Sequence, residues 1–517
     1  MFPSFPDRRQ LLLGGGAVAA SLVLPGTGRG QTVLADTPFT LGVASGDPWP
    51  DGFVIWTRLA PKPLDEHAGM TMAPGGVPVT WEVAADEGLA QVVRTGDAVA
   101  WAELGHSVHV EISGLDPHRP YWYRFTCAGF RSPAGRARTA PVVGSRLDSV
   151  RFAVAGCQQY DAGFYTAYRH ISEEDVDFLF HYGDYIYEGR YGDEAKKPRH
   201  VVGDEPFSLD DYRRRYALYK LDPDLQAAHA SCAWFVTNDD HEIQNNWAGS
   251  SDQNGTPPEI FLLRRQAAFQ AYYENMPLRK TSLPRGPDMQ IYRRAIYGDL
   301  LNANFLDTRQ FRTDQPCGDG FQPYCSEAFA PKAQMINAKE EAWLHDSLTR
   351  PHARWNLVAQ QVMMMPMDRR NKADAGYGVI NNLDSWAGYP EARQRMVEHF
   401  RGLGNVVVVT GDEHQNFAGE LRDKGVDGQA LAVEFVSTSI SSGGNGSDTR
   451  PGTDILKSHN PQLDFENDQR GYLICDVGRD VWRTDVRVLD YVDRPGSGVT
   501  TRARLAVERG KPKLVEA

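Results

Sequence analysis

Apolar and polar positions alternate in short runs at 53–58, 77–83, 108–112 and 121–127, and no helix-period stretch longer than a few residues interrupts them. A period of two puts successive side chains on opposite faces of a strand. Regular short strands of this kind predict an all-β sandwich over residues 36–145. Beyond a linker near 142–148 the pattern changes. Apolar runs at 150–155, 176–182, 233–237, 303–306, 355–360 and 406–410 now alternate with helix-period segments at 209–219, 258–275, 338–349 and 390–400. This alternation predicts a layered α/β domain over 146–517, with sheets covered by helices.

The first thirty-five residues follow neither pattern. Arg8 and Arg9 precede a small-residue apolar run over 11–24 that ends at Pro25, and Val33-Leu34-Ala35 offers a peptidase small side chains. The run is too short to span a bilayer. Residues 1–35 therefore read as a cleaved signal peptide of the twin-arginine type, which implies the twin-arginine export machinery as a partner and a periplasmic, secreted or cell-surface location.

Composition narrows the function classes. The chain has 55 basic against 67 acidic residues, a net charge of -12, with 24% charged and 41% apolar residues. That balance suits a globular protein and argues against a general binder of nucleic acid or anionic membrane. Of six cysteines, Cys317 and Cys325 flank a Gly/Pro-rich loop that suits a disulfide, whereas Cys127, Cys232 and Cys475 lie in apolar runs and read as buried thiols.

The candidate chemistry sits at strand ends. Val154-Ala155-Gly156-Cys157, Tyr182-Gly183-Asp184-Tyr185-Ile186-Tyr187, Thr237-Asn238-Asp239-Asp240-His241-Glu242 and Thr410-Gly411-Asp412-Glu413-His414 each run from an apolar strand into metal-ligand residue types. In an α/β sheet, ligands gather where strands leave the core at their carboxyl ends. Four such clusters in one domain predict a metal centre. A thiolate and a phenolate together call for a strong Lewis acid, because free Cys titrates near ~8.5 and Tyr near ~10. Ferric iron fits Cys157 and Tyr187, with Asp184 bridging, while the oxygen-rich Asp240 and Asp412 suit calcium.

These residues carry a resemblance. Gly183-Asp184-Tyr185-Ile186-Tyr187, Asp239-Asp240-His241-Glu242 with Asn245-Asn246-Trp247, Phe305-Leu306-Asp307-Thr308-Arg309 and Gly411-Asp412-Glu413-His414 are similar to the PhoD-type alkaline phosphatases of the calcineurin-like metallophosphatase superfamily. The resemblance covers nearly the whole chain. It implies an α/β metallophosphoesterase-type layered sandwich behind a small β domain. The 110–117 string with Tyr121, Tyr123 and Arg124 gives that domain a fibronectin-III-like look. It implies Fe3+ held by Cys157, Asp184 and Tyr187, further ligands at Asp240, Asp412 and His414, and Asn246 and Arg265 facing the phosphate. The last stretch, 502–515, departs from the family in showing no long helix.

The activity implied is hydrolysis of phosphomonoesters and diesters, nucleotide-derived or phospholipid, by in-line attack of a metal-bound oxygen without a phospho-enzyme. His241 reads as a proton donor or as the orienter of a neighbouring ligand, and Arg309 as a structural partner of Asp307. The aromatic strings at 164–168 and 272–273 read as core. Two rivals are a phospholipase D-like phosphodiesterase and a non-enzymatic cell-surface binding protein. Cys157 argues against the second, because a structural calcium cage uses oxygen and not thiolate.

Overall fold

The computed structural model describes residues 34–70, 75–350, 353–374, 376 and 378–516. The signal-peptide reading therefore lies outside the described residues, save for its last two positions. Two sheets dominate. The first has ten strands in the spatial order Lys511–Glu516, Val499–Glu508, Val481–Leu489, Gly471–Gly478, Ser149–Ala155, Phe178–His181, Ala233–Val236, Val43–Trp49, Gly52–Arg58 and Ser107–Glu111. The second has seven, in the order Arg293–Tyr297, Leu301–Phe305, Trp355–Ala359, Val406–Thr410, Asp427–Val436, Asn416–Lys424 and Leu463–Asn467.

Strand alternation explains the layering. Val150, Phe152 and Val154 point to one side of their strand and meet Leu357, Ala359, Val407 and Val409 of the second sheet in a core between the sheets. Ala153 and Ala155 point the other way and pack on helix residues such as Tyr168, Tyr216, Phe269 and Tyr272. On the far side, Val358, Val406 and Val408 pack under Leu344, Leu348, Met396 and Val397. The order is thus helix, sheet, sheet, helix, and strands apolar on both faces are what such a sandwich requires. The strings at 164–168 and 272–273 indeed place Tyr165, Tyr168, Tyr272 and Tyr273 in the helix-side core.

Local signals set the covering helices. Ser208 and Asp211 form a reciprocal capping box at the start of Leu209–Lys220, Asn337 caps Ala338–Thr349, and Pro258 and Pro390 open Pro258–Asn275 and Pro390–Glu398. No helix among the described residues is long and apolar enough to cross a membrane. Cys317 and Cys325 form a disulfide, and Cys127, Cys232 and Cys475 are buried free thiols.

One expectation changes. Strands Val77–Ala84, Val92–Ala100, Pro120–Cys127, Phe130–Arg131 and Gly135–Arg138 form a five-stranded sheet of their own. Val43–Trp49, Gly52–Arg58 and Ser107–Glu111 pack on it through Phe53, Ile55 and Val108 as the second layer of the expected sandwich, but that layer is not self-contained. Val43–Trp49 pairs in parallel with Ala233–Val236, so these strands extend the ten-stranded sheet. The physical reason is edge satisfaction: pairing supplies hydrogen bonds that the edge of Ala233–Val236 would otherwise lack.

Candidate metal centre

Ser149–Ala155, Phe178–His181 and Ala233–Val236 run parallel, as do Leu301–Phe305, Trp355–Ala359, Val406–Thr410 and Asp427–Val436. Their carboxyl ends deliver Cys157, Asp184, the Asp239–Glu242 turn, Arg309 and Asp412 to one place. Tyr182 joins the two sheets there. Its ring is fully buried, and its hydroxyl donates to Thr438 O at 2.8 Å. A Cβ on Gly156 would lie 2.3 Å from that ring and one on Gly411 would lie 2.1 Å from it. Both clusters begin with glycine because the tyrosine fills the space that a side chain would need.

The turns that follow are unusual. Cys157, Asp184, Asn246, Asp412 and His414 have φ of 51°, 54°, 51°, 66° and 54°. Non-glycine residues seldom occupy this left-handed region, and they concentrate where surrounding structure forces them for a purpose.

Three groups of metal-ligating atoms lie within 4.8 Å of one another: Cys157, Asp184 and His414; Asp184, Asp240 and His241; and Asp184, Asp239, Asp240 and Asp412. Asp184 belongs to all three. Its Oδ2 accepts from the Tyr187 hydroxyl at 2.8 Å and from Cys157 Sγ at 3.3 Å, and its Oδ1 accepts from His241 N at 3.3 Å. The Tyr187 oxygen is also 3.1 Å from His414 Nε2 and 2.8 Å from Ser442 Oγ. All six expected ligands, Cys157, Asp184, Tyr187, Asp240, Asp412 and His414, are thus brought together.

Electrostatics describe a site built around positive charge. Burial and neighbouring acids push the carboxyls of Asp184 and Asp412 well above the usual range, and burial raises Asp239 to about 7. Burial and Asp184 also push Cys157 and Tyr187 up, and burial drives His414 down to about 3. Asp239 Oδ2 and Asp240 Oδ1 are buried without a hydrogen bond. Acceptors orphaned in this way, beside a thiol and a phenol, fit cations held by oxygen, nitrogen and sulfur.

Arg309 partly meets that need. Fully buried, it donates from Nε to Asp239 Oδ1 at 2.5 Å and from Nη1 to Asp384 Oδ1 at 2.9 Å, and its Nη2 lies 3.4 Å from Asp240 and 4.0 Å from Asp412. Its guanidinium is therefore not the partner of Asp307, whose Oδ1 instead accepts from the backbone N–H groups of Arg309 and Gln310. Burial would raise Asp384, but Arg309 and Arg312 outweigh it and hold its carboxyl down.

His241 is fixed from one side. Its Nδ1 lies 2.7 Å from Glu188 Oε2, and its ring stacks on Tyr187 at 3.9 Å. Burial opposes charge on this imidazole, yet Asp240, Asp184 and Glu188 together hold its pKa well above the ordinary value. The Tyr191 hydroxyl donates to the other Glu188 oxygen at 2.8 Å. Glu242 accepts from the N–H groups of Asp184, Tyr185 and Asp239 at 3.1, 2.5 and 2.8 Å, and so shapes two ligand turns at once.

The two residues expected at the phosphate part company. Asn246 lies at the rim, its N–H donating to Asp240 Oδ2 at 2.7 Å. Arg265 does not join the cluster. It is buried on Pro258–Asn275, with its donors on Pro287 O at 2.8 Å, Gly249 O at 2.6 Å and Asp288 Oδ1 at 2.7 Å. A helix position sets its reach, and these nearer acceptors take its donors. Glu188, Asp384 and Ser442 were missed by sequence reasoning, and Glu242 was named in its cluster without a role. Of the three missed, only Glu188, directly after Tyr187, carried a readable signal.

Comparisons with known proteins identify the family. Residues 152–486 match the model of the PhoD-like phosphatase family, and residues 26–141 match that of the PhoD-like phosphatase N-terminal domain. The chain is 43% identical over 525 residues to alkaline phosphatase D of Bacillus subtilis (strain 168), covering 98% of this chain and 88% of that relative. A solved structure described as the structure of PhoD aligns with a TM-score of 0.90 at 44% identity, covering 94% of this chain and 93% of that one. With matches along almost its whole length, the chain belongs to the PhoD-like phosphatase family and is a phosphoesterase, a hydrolase of ester bonds.

Proposed function

We propose that this phosphoesterase is exported and metal-dependent, and that it acts on phosphomonoesters and phosphodiesters with Fe3+ and Ca2+ as its metals. The observation that carries the reading is Asp184, shared by a group with Cys157 and His414, a group with Asp240 and His241, and a group of four carboxylates. Cys157, Tyr187, Asp184 and His414 would hold iron; Asp240 and Asp412, with Asp184 again, would complete the set for calcium. When bound, such ions supply Lewis acidity that clamps the phosphoryl oxygens and lowers the pKa of water.

The chain's own residues divide the remaining work. Glu188 orients His241 through Nδ1, which leaves Nε2, 4.0 Å from Asp240 Oδ2, to give a proton to the departing oxygen. Asn246 offers its amide to a phosphoryl oxygen from the rim. Arg309 keeps Asp239 and Asp240 in register with Asp412. Family membership removes the binding-protein alternative. Residues 36–145 are proposed as a fibronectin-III-like β domain that shares a sheet with the catalytic part, and 1–35 as the twin-arginine signal.

Metal analysis of the natively exported protein, with a panel of mono- and diesters, tests this reading. Stoichiometric iron and calcium with turnover of both ester types is expected. Full activity after complete removal of both metals would overturn it.

A further inference from the structure

The amide of Asn246 is already occupied. Its Nδ2 donates to both carboxylate oxygens of Asp319, at 2.8 and 2.9 Å. The same carboxylate accepts from Gly320 N at 2.6 Å and from the side-chain amide of Gln253. Asp319 lies inside the loop closed by Cys317 and Cys325, and that loop is pinned to the centre elsewhere. Gln315 Nε2 donates to Asn246 O and to Asp384 Oδ1, both at 2.7 Å. Its continuation, Phe321–Pro323, pairs with Ile380–Asn382, and Asn382 donates to Glu413, the neighbour of Asp412, at 3.1 Å. Asp319 and Asn246 are both half-buried, at the boundary between the buried ligands and solvent.

A carboxylate and a phosphoryl group present the same chemistry to an amide donor, namely two oxygens that accept and bear negative charge. We propose that Asp319 is a built-in competitor for phosphate at Asn246, and through its charge a specificity-determining residue that favours phosphodiesters over phosphomonoesters. The proposal rests on Asn246 as a phosphate contact. An entering phosphoryl group must displace Asp319 from the amide, and the disulfide-closed loop keeps the displaced carboxylate close by. Repulsion between like charges scales with the charge on each partner. A diester carries one negative charge and a monoester nearly two, since its second pKa is about 6. The monoester is therefore disfavoured about twice as strongly in energy.

The test uses the full metal-loaded chain with p-nitrophenyl phosphate, bis(p-nitrophenyl) phosphate and inorganic phosphate as inhibitor. Asp319→Ala is expected to lower KM for the monoester and the inhibition constant of phosphate by roughly fivefold, the scale of a charge pair screened as in bulk water at the solvent boundary. KM for the diester is expected to fall by about twofold, with kcat nearly unchanged. Asp319→Asn, which keeps an acceptor for Asn246 but not the charge, is expected to shift the monoester-to-diester ratio in the same direction. A rise in KM, or an equal change for both esters, would assign Asp319 to holding Asn246 in place and overturn the proposal. Asn246→Ala separates the two levels. An unchanged inhibition constant for phosphate would remove the phosphate role of Asn246 itself, whereas a raised one with Asp319→Ala neutral would remove only the role of Asp319.

Discussion

The two halves of the centre share Asp184 but handle charge in opposite ways. Around Cys157 and Tyr187 the donors are a thiol and a phenol whose protons burial makes hard to lose, and both point at Asp184 Oδ2. A cation proposed for this half would have to be acidic enough to displace those protons. Around Asp239, Asp240 and Asp412 the ligands are carboxylates, and Arg309, itself clamped with Arg312 on Asp384, already supplies a fixed positive charge. That half is partly balanced before any ion arrives, so it can exchange a hard cation without collapsing. The contrast teaches that, on the proposed two-metal reading, one half would select its metal by acidity and the other by oxygen count and shape.

The largest expected effect comes from removing what the halves share. Asp184→Asn should empty both, and turnover should fall by more than the roughly 10–100-fold typical of an outer-shell change. Iron and calcium per chain, measured beside the rate, check this. Retention of either metal at full occupancy would mean that the halves are independent.

Chelation should separate them. A calcium chelator is expected to abolish turnover reversibly while iron stays bound, read by elemental analysis before and after calcium is restored. Cys157→Ser and Tyr187→Phe should do the converse, with iron and rate falling together. Tyr187→Phe should also remove the visible charge-transfer band of a phenolate on ferric iron. If Cys157 were only a packing residue, the serine variant would lose about 1 kcal/mol of stability and keep its iron.

A smaller effect is expected at Glu188, which touches neither half directly. Glu188→Gln frees the His241 ring, and kcat should fall by about 10–100-fold with both metals retained. A parallel loss of metal would show that Glu188 supports the fold of the centre and not the imidazole alone.

The smallest concerns the floor beneath the thiol–phenol half. His181 is fully buried, and burial drives its pKa down to about 3. Its Nδ1 accepts from Gly183 N at 3.3 Å, so the neutral ring helps to start the turn that carries Asp184. The unfolded chain takes up a proton near pH 6.5, and the native ring does not. Stability is therefore lost as pH falls below about 6.5, by up to about 1.4 kcal/mol per pH unit from this residue. Denaturant midpoints at pH 7, 6 and 5 should show a slope, to which buried His109, His229 and His414 also contribute, and His181→Asn should reduce it by one residue's share.

What the sequence determined by itself was the grammar of the catalytic part. Apolar runs at 150–155 and 406–410 became Ser149–Ala155 and Val406–Thr410, and the segment at 258–275 became a helix with those bounds. Strand periodicity and proline caps are local, so they are readable without a fold. The six expected ligand positions were legible for a related reason: they follow four apolar strands, and parallel strands bring their carboxyl ends together. Tertiary structure alone decided the rest. Arg309 could not be assigned from its neighbours, because its partners Asp239 and Asp384 come from distant segments and only the packed sheets bring them within reach. Arg265 was expected to face the phosphate, yet Gly249, Pro287 and Asp288 take its donors. Neither the joining of Val43–Trp49 to Ala233–Val236 nor the seating of Asp319 on Asn246 has a local signature, since hydrogen bonds between remote segments follow from distances that no sequence pattern contains.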